Sequence, residues 1–338
     1  MAVSVAGTLD HPLLLALLAD GRLHSGERLA GELNVSRAAV WKGVERLRAL
    51  GVEVQALPRR GYRLPNPVEL LDARRITAEL GPLHVGALRN VEVLFEVDST
   101  NTRLLGCSPP PPGRVDVCLS ELQYAGRGRR GRRWIAPFGG ALALSVAWTF
   151  SGPARSLTAL SLGVGVAVSR ALVRSGAEGV MLKWPNDIWF RDRKIGGVLT
   201  ELRTEEGGSA HVVIGIGLNV VLPAASLREI EAGGVRAAAV ADACSAAPSR
   251  NLVAGAILGE LLSMLVEFER EGFAAVRDAW TALDALRGRP ARVLLGDRAI
   301  SGIAGGVDLE GALLLDTGDR MERFVSGEAS LRAIEGAA

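Results

Sequence analysis

The stretch Gln123-Tyr124-Ala125-Gly126-Arg127-Gly128-Arg129-Arg130-Gly131-Arg132-Arg133-Trp134 constrains this chain more than any other. It contains a literal G-x-G-x-x-G at Gly126, Gly128 and Gly131. In a dinucleotide-binding turn those glycines lead from a strand straight into a helix, with an acidic residue about twenty positions later. Here Trp134-Ile135-Ala136-Pro137-Phe138-Gly139-Gly140 follows, which cannot open that helix, and no Asp or Glu occurs between Glu121 and Glu178. A Rossmann domain is excluded, and so is a Walker loop, because G-K-[ST] occurs nowhere. What remains is a loop with five arginines in residues 127–133. Clustered guanidinium groups repel one another unless an anion joins them, so this loop is expected to be loose alone and ordered over phosphate. Trp134 offers a flat face on which a purine can stack. A solvated basic run that binds nucleic acid nonspecifically is the competing reading, and the alternation of Gly with Arg speaks against it.

The chain's 338 residues suffice for two or three domains. Residues 13–18 read as an apolar helix, too short for a membrane span and with no basic segment before it. Asp20-Gly21 breaks the pattern, Ser25 caps a second helix to Leu33, and Asn34 makes the turn. Ser36 caps a third helix, with apolar Val40, Val44, Leu47 and Leu50 at spacings of three and four. Gly51 ends it, and residues 52–64 form a hairpin with Pro58-Arg59-Arg60-Gly61 at its tip. Three short helices and a basic-tipped hairpin make a winged helix-turn-helix over residues 1–66. Ser36, Arg37, Trp41 and Lys42 lie where its third helix would meet the major groove, and Arg59 and Arg60 where the wing would meet phosphate. Use of the same module for protein contact alone is the other reading. The net charge of +2 by itself implies no nucleic-acid partner.

A linker over residues 65–72 precedes a mixed α/β region. Its strands are expected at 91–97, 115–119, 141–148, 196–202 and 211–221, with helices at 157–175, 251–272 and 273–287. From Arg289 the pattern turns to short strands with Gly-rich turns, at 291–295, 299–303, 312–316 and 321–325, which suggests a small barrel. The domains are therefore expected at 1–66, 67–288 and 289–338. Cys107, Cys118 and Cys244 show no paired spacing, which fits a reducing cytoplasm.

Three polar groupings interrupt the apolar strands of the middle region. Lys183-Trp184-Pro185-Asn186-Asp187 sets polar side chains in apolar surroundings, as a ligand contact or a structured turn would. Arg193-Lys194-Ile195-Gly196-Gly197 puts a lysine, ordinarily charged at neutral pH, beside glycines that admit a ligand to the backbone. Ile214-Gly215-Ile216-Gly217-Leu218-Asn219 ends an apolar strand in a single amide, and Asp98-Ser99-Thr100-Asn101 alone is a helix cap. Each is weak by itself.

In this order, the Gly-Arg loop, Lys-Trp-Pro-Asn-Asp and Arg-Lys-x-x-Gly resemble the bifunctional biotin–protein ligase and biotin operon repressor family. The resemblance extends from the winged helix to Ser326-Gly327-Glu328-Ala329-Ser330-Leu331-Arg332 near the C-terminus. It implies a winged helix-turn-helix, a mixed α/β ligase domain and an SH3-like barrel. It also implies ATP-dependent, AMP-forming activation of biotin and transfer to a lysine of biotin carboxyl carrier protein. Repression of biotin synthesis genes by a dimer on operator DNA is implied as well, in the cytoplasm and without a membrane. Ser99, Thr100, Asn101 and Gln123 would hold biotin, with Arg127, Gly128 and Arg129 covering it. Lys194 would lie between the biotin carboxylate and the ATP α-phosphate, with Lys194 and Arg129 acting catalytically. Arg130, Trp134, Lys183, Asn186, Asp187 and Asn219 would hold the nucleotide, and Asp187 its Mg2+. Phe138 would be a packing residue. Tyr124 stands where the best-known relatives have a second glutamine. Lipoate–protein ligases share the chemistry, and a repressor that senses ligand without transferring it is a further alternative.

Overall fold

The computed structural model describes residues 9–151, 157, 159–204, 209–325 and 330–333. Helices α1 (His11–Leu18), α2 (Gly26–Glu32) and α3 (Arg37–Ala49) are followed by the hairpin β1 (Gln55–Leu57) and β2 (Gly61–Arg63). The local signals act where the sequence puts them. The Ser25 hydroxyl accepts from the Arg28 amide and the Ser36 hydroxyl from the Ala39 amide, each at 3.1 Å. Asn34 takes φ 52° and Gly51 φ 86°. Gly61 has φ 129°, and a Cβ there would collide with the His24 carbonyl, to which Tyr62 is paired. Only glycine closes this wing onto the helices. Leu14, Leu18, Leu29, Val40, Val44 and Leu47 form the module's core, against which Phe138 packs.

After helices α4 (Ala73–Ala78) and α5 (Pro82–Ala87), a seven-stranded sheet begins. Its strands are β3 (Leu88–Val97), β4 (Val115–Gln123), β5 (Ala141–Phe150), β6 (Val180–Lys183), β7 (Asp187–Phe190), β8 (Arg193–Thr204) and β9 (Ala210–Asn219). They lie in the order β3-β4-β5-β9-β8-β7-β6, with β3 and β4 parallel and every other pair antiparallel. Helix α6 (Thr100–Leu105) lies after β3, and α7 (Leu160–Arg174), α8 (Ala224–Ala232), α9 (Arg250–Glu271) and α10 (Arg277–Leu283) complete the domain. Alternate residues of β5 and β9 face opposite ways. Leu142, Leu144, Val146 and Trp148, with Val212, Ile214, Ile216 and Leu218, join α7 and α9 in the main core. By length and composition α9 could cross a membrane, but 61% of its apolar window is buried inside the protein.

Five strands, β10 (Pro290–Leu295), β11 (Arg298–Val307), β12 (Leu313–Asp316), β13 (Met321–Phe324) and β14 (Ser330–Ala333), make an antiparallel sheet in the order β13-β12-β11-β10-β14. The Trp184 indole donates to the Gly311 carbonyl at 3.1 Å, tying this sheet to the middle domain. Residues 326–329 of the expected C-terminal motif, and residue 158 of the expected 157–175 helix, lie outside the described residues. The single helix expected over 273–287 is instead a 3-10 turn, Gly272–Ala275, followed by the short α10. Helices α4, α5 and α8 lack a long apolar stripe and were not legible.

Glu121 on β4 and Arg250 at the start of α9 form a buried ion pair at 2.8 Å. Glu121 also accepts from the Leu71 amide at 2.5 Å, so the pair clamps the linker to the sheet. Removing one partner strands a buried charge, which costs about 3–5 kcal/mol. Glu121→Leu should therefore lower unfolding free energy by that order in urea titration, with Glu121→Gln milder.

Candidate functional site

The sheet face opposite α7 and α9 carries the small residues that alternate with the core. Ala143, Gly215 and Gly217 line a cavity of about 420 Å³ there, together with side chains from β4, α6, β6, β7, β8 and the arginine loop. A Cβ on Gly217 would strike the Trp134 indole, and one on Gly215 the Asn101 amide. Glycine at these two positions lets both side chains lie close against the strand. This explains the spacing of Ile214-Gly215-Ile216-Gly217, whose isoleucines belong to the core.

At the β4 end, Thr100 donates to Gln123 Oε1 through its backbone amide at 2.8 Å and its hydroxyl at 3.1 Å. Ser99 is the N-cap residue of α6 by its backbone, but its hydroxyl makes no capping bond. Asn101 is tied down at both ends of its amide: Oδ1 lies 2.6 Å from the Ser145 hydroxyl, and Nδ2 donates to Glu201 at 2.7 Å. Asn101 thus buttresses the sheet although it lines the cavity.

Across the sheet, Lys194 on β8 donates to Asp187 Oδ1 at 2.5 Å, and Lys183 on β6 stands 3.8 Å from Asp187 Oδ2. Burial drives the Asp187 carboxyl upward, and Lys194 and Lys183 outweigh it, holding the group below the usual carboxylate range. Lys183 is 5% exposed, with its ammonium 4.5 Å from the centre of the Trp189 ring. Burial pushes it down to about 8, against the pull of Asp187. Asn186 donates to the Val198 carbonyl at 2.6 Å, and Arg129 reaches Asn186 Oδ1 at 3.5 Å. Burial, and then Arg130, lower the Arg129 guanidinium from its ordinary value. Asn219 donates to the Ala238 carbonyl at 3.1 Å, and among the described residues its buried Oδ1 has no partner, nor does Trp134 Nε1.

The arginine loop is a short flap. Arg127 and Arg133 pair as an isolated bridge, Gly128 donates to the Arg132 carbonyl at 2.7 Å, and Arg130 takes φ 57°. Arg127 lies 3.3 Å from Glu201 and Arg133 3.1 Å from Glu229, so carboxylates of the protein itself relieve the guanidinium repulsion at both ends. The tip, Arg130 to Arg132, stays exposed.

Every residue expected to hold the vitamin or nucleotide lines this one cavity: Ser99, Thr100, Asn101, Gln123, Arg127, Gly128, Arg129, Arg130, Trp134, Lys183, Asn186, Asp187, Lys194 and Asn219. Sequence reasoning missed Arg332 on β14 and the lining from α8 and the segment after it, Ile230, Val235 and Ala237. No local signal placed them at this site, because folding alone brings them across. Asp187, expected at a magnesium ion, lies beside two lysines, and among the described residues no three His, Cys, Asp or Glu cluster together. A single carboxylate such as Asp187 fits a magnesium ion carried chiefly by the phosphates of ATP. The three cysteines are free thiols.

In the winged helix, Arg37, Trp41 and Lys42 project from the first turns of α3, and Trp41 is 54% exposed. Arg59 and Arg60 are exposed at the hairpin tip. Ser36 spends its hydroxyl acceptor on the helix cap.

Three family models match: an HTH domain over residues 12–63, the Biotin/lipoate A/B protein ligase family over 94–219, and the Biotin protein ligase C terminal domain over 288–332. The chain is 40% identical to the bifunctional ligase/repressor BirA of Salmonella typhimurium over 95% of its own length and 97% of that protein's. It is 41% identical to the protein of the same name from Escherichia coli, with the same coverage of each chain. Among solved structures, the biotin protein ligase from Aquifex aeolicus in complex with biotin and ATP superposes with a TM-score of 0.62 at 29% identity, covering 73% of this chain and 100% of that one.

Proposed function

The chain belongs to the family of bifunctional biotin ligase/repressors, and from that membership and the cavity's chemistry we infer how its residues divide the work. The protein is a biotin–protein ligase with a DNA-binding repressor module. It joins biotin to AMP at the expense of ATP and passes the biotin to a carrier lysine. The observation that carries the site assignment is the ordered row across the sheet: hydrogen-bonding groups on β4 and α6, then Lys194, then Asp187.

Ser99, Thr100 and Gln123 hold the ureido ring of biotin, and Asn101 braces them. Trp134, packed close against Gly217, stacks under adenine. The Asn219 amide nitrogen is committed to the Ala238 carbonyl, so its Oδ1 accepts from an exocyclic amine. A 6-oxo base would place oxygen against oxygen, which is costly in a buried site. Asn219→Ala should therefore reduce the preference for ATP over GTP by about tenfold, measured as kcat/KM for adenylate formation.

Activation brings a carboxylate against the α-phosphate, and the repulsion of two anions is the barrier. Asp187 fixes Lys194 where that charge develops, and Arg129 covers it from the flap, a preorganised electrostatic arrangement. The acyl-adenylate is then kept from water by the closed flap until a carrier amine attacks the acyl carbon and AMP leaves. Placement and charge carry the catalysis. Magnesium enters as the counter-ion of ATP.

The domains divide at residues 66 and 288. Arg37, Trp41 and Lys42 face the major groove, and Arg59 and Arg60 the backbone, of operator DNA bound by a dimer in the cytoplasm. A gel shift with the control region of a biotin operon should show retardation strengthened by biotin and ATP together. Unaltered mobility would contradict the repressor assignment. Radiolabelled biotin and lipoate, compared in adenylate formation, test the vitamin; a preference for lipoate would overturn the ligase assignment.

A further inference from the structure

We propose that Glu201, behind the wall of the cavity, sets the hydrogen-bonding polarity of the vitamin site: acting through Asn101 and Ser145, its carboxylate makes Thr100 meet the ligand as an acceptor. This inference rests on the ligase reading and makes Glu201 a positioning residue for the ureido ring of biotin.

An unbroken file of side chains runs from Glu201 to Gln123. Glu201 on β8 accepts from Asn101 Nδ2 at 2.7 Å. The Asn101 Oδ1 lies 2.6 Å from the hydroxyl of Ser145 on β5. Ser145 Oγ is 2.7 Å from Thr100 Oγ1, which is 3.1 Å from Gln123 Oε1 at the end of β4. Ser145, Asn101 and Thr100 are all buried, so bulk water does not compete for these bonds.

The protons available give the file a direction. A carboxylate paired with a guanidinium accepts and does not donate, so Asn101 turns its NH2 to Glu201 and its carbonyl oxygen to Ser145. The Leu199 carbonyl, 3.3 Å from the same Nδ2, favours the same orientation. Ser145 therefore spends its one proton on Asn101. Its contact with Thr100 then needs the Thr100 proton, which Gln123 Oε1 shares at the longer distance. Thr100 lines the cavity with no proton left and offers it a lone pair. Gln123 Oε1 also accepts from the Thr100 amide at 2.8 Å, which leaves the Gln123 NH2 for a ligand. An acceptor beside a donor matches the N–H and C=O of a cyclic urea.

With the Asn101 amide turned over, the file would run the other way. Ser145 would accept from Asn101 and donate to Thr100, freeing the Thr100 proton to oppose a ureido N–H. Two donors facing each other in a buried site are costly. Glu201 excludes that state with a full charge, and the Arg127 guanidinium 3.3 Å from its other oxygen keeps the carboxylate in place.

The test is equilibrium binding of biotin to the full-length protein, measured by calorimetry without ATP. Glu201→Gln preserves the shape of the side chain but can turn either end of its amide to Asn101, so the direction is no longer imposed. Its Kd for biotin should rise about tenfold, a loss typical of a hydrogen bond to a charged group. At saturating biotin, kcat for adenylate formation should change less than about twofold, as for a group that acts on binding alone. In a Thr100→Val background the same substitution should have little further effect, because the hydroxyl it orients is gone. Should Thr100→Val fold poorly, Ser145→Ala breaks the file one step earlier and serves in its place. Equal rises in Kd with and without these hydroxyls would overturn the relay. So would a wild-type Kd in Glu201→Gln, or a rise that vanishes once Arg127 is already Gln, which would assign Glu201 to the flap instead. A wild-type protein that binds lipoate and not biotin would overturn the ligase reading beneath it.

Discussion

Lys194→Ala should form biotinyl-adenylate at least on the order of 10²–10³-fold more slowly than wild type, a loss typical of removing one preorganised charge from the place where charge develops. Its ammonium is held 2.5 Å from Asp187 Oδ1, so the positive centre is in position before either substrate arrives. The fold should survive. Lys194 is only 23% exposed but lies near the start of β8, and Asp187 keeps Lys183 as a neighbour. Circular dichroism and thermal melting should match wild type within a few degrees. Single-turnover pyrophosphate release at the wild-type rate by this variant would show that Lys194 is a bystander.

Arg129→Gly should release the activated vitamin. Arg129 is half-buried, reaches Asn186 at 3.5 Å, and comes from the flap, so it is the bolt between flap and floor. Its loss removes a hydrogen bond from a charged group, worth roughly 1.5–3 kcal/mol, which corresponds to about 10–100-fold faster escape of the adenylate. Freed biotinyl-adenylate acylates any accessible lysine amine. Unrelated proteins such as serum albumin should then become labelled in the presence of biotin, ATP and the variant. Strict selectivity for the carrier would show that the flap does not retain the intermediate through this residue.

The winged helix was legible because its signals are local. Ser25, Ser36, Asn34 and Gly51 each act on their own turn, and each sits in the structure where its side chain or φ angle requires. The glycines at 215 and 217 were legible as small residues in a strand, but their purpose was not. They make room for Asn101 and Trp134, which are more than eighty residues away in sequence. Asp187 shows the limit most clearly. Its sequence neighbours do not announce its ion pairs, because Lys194 seven residues on and Lys183 four residues back close on it only once β6, β7 and β8 pair. Arg332 belonged to the C-terminal motif, but its place in the cavity was not legible, because it arises only when β14 pairs with β10 and the sheet docks beside Trp184.

The central claim is that the arginine flap closes over an activated vitamin. Limited trypsin digestion, with the cut sites between Arg127 and Arg133 identified by mass spectrometry, tests it most directly. Biotin and ATP together should slow cleavage at the exposed tip, residues 130–132, severalfold or more, while either ligand alone does less. Cleavage at the flap that proceeds at the same rate with both ligands present would contradict closure and the mechanism built on it.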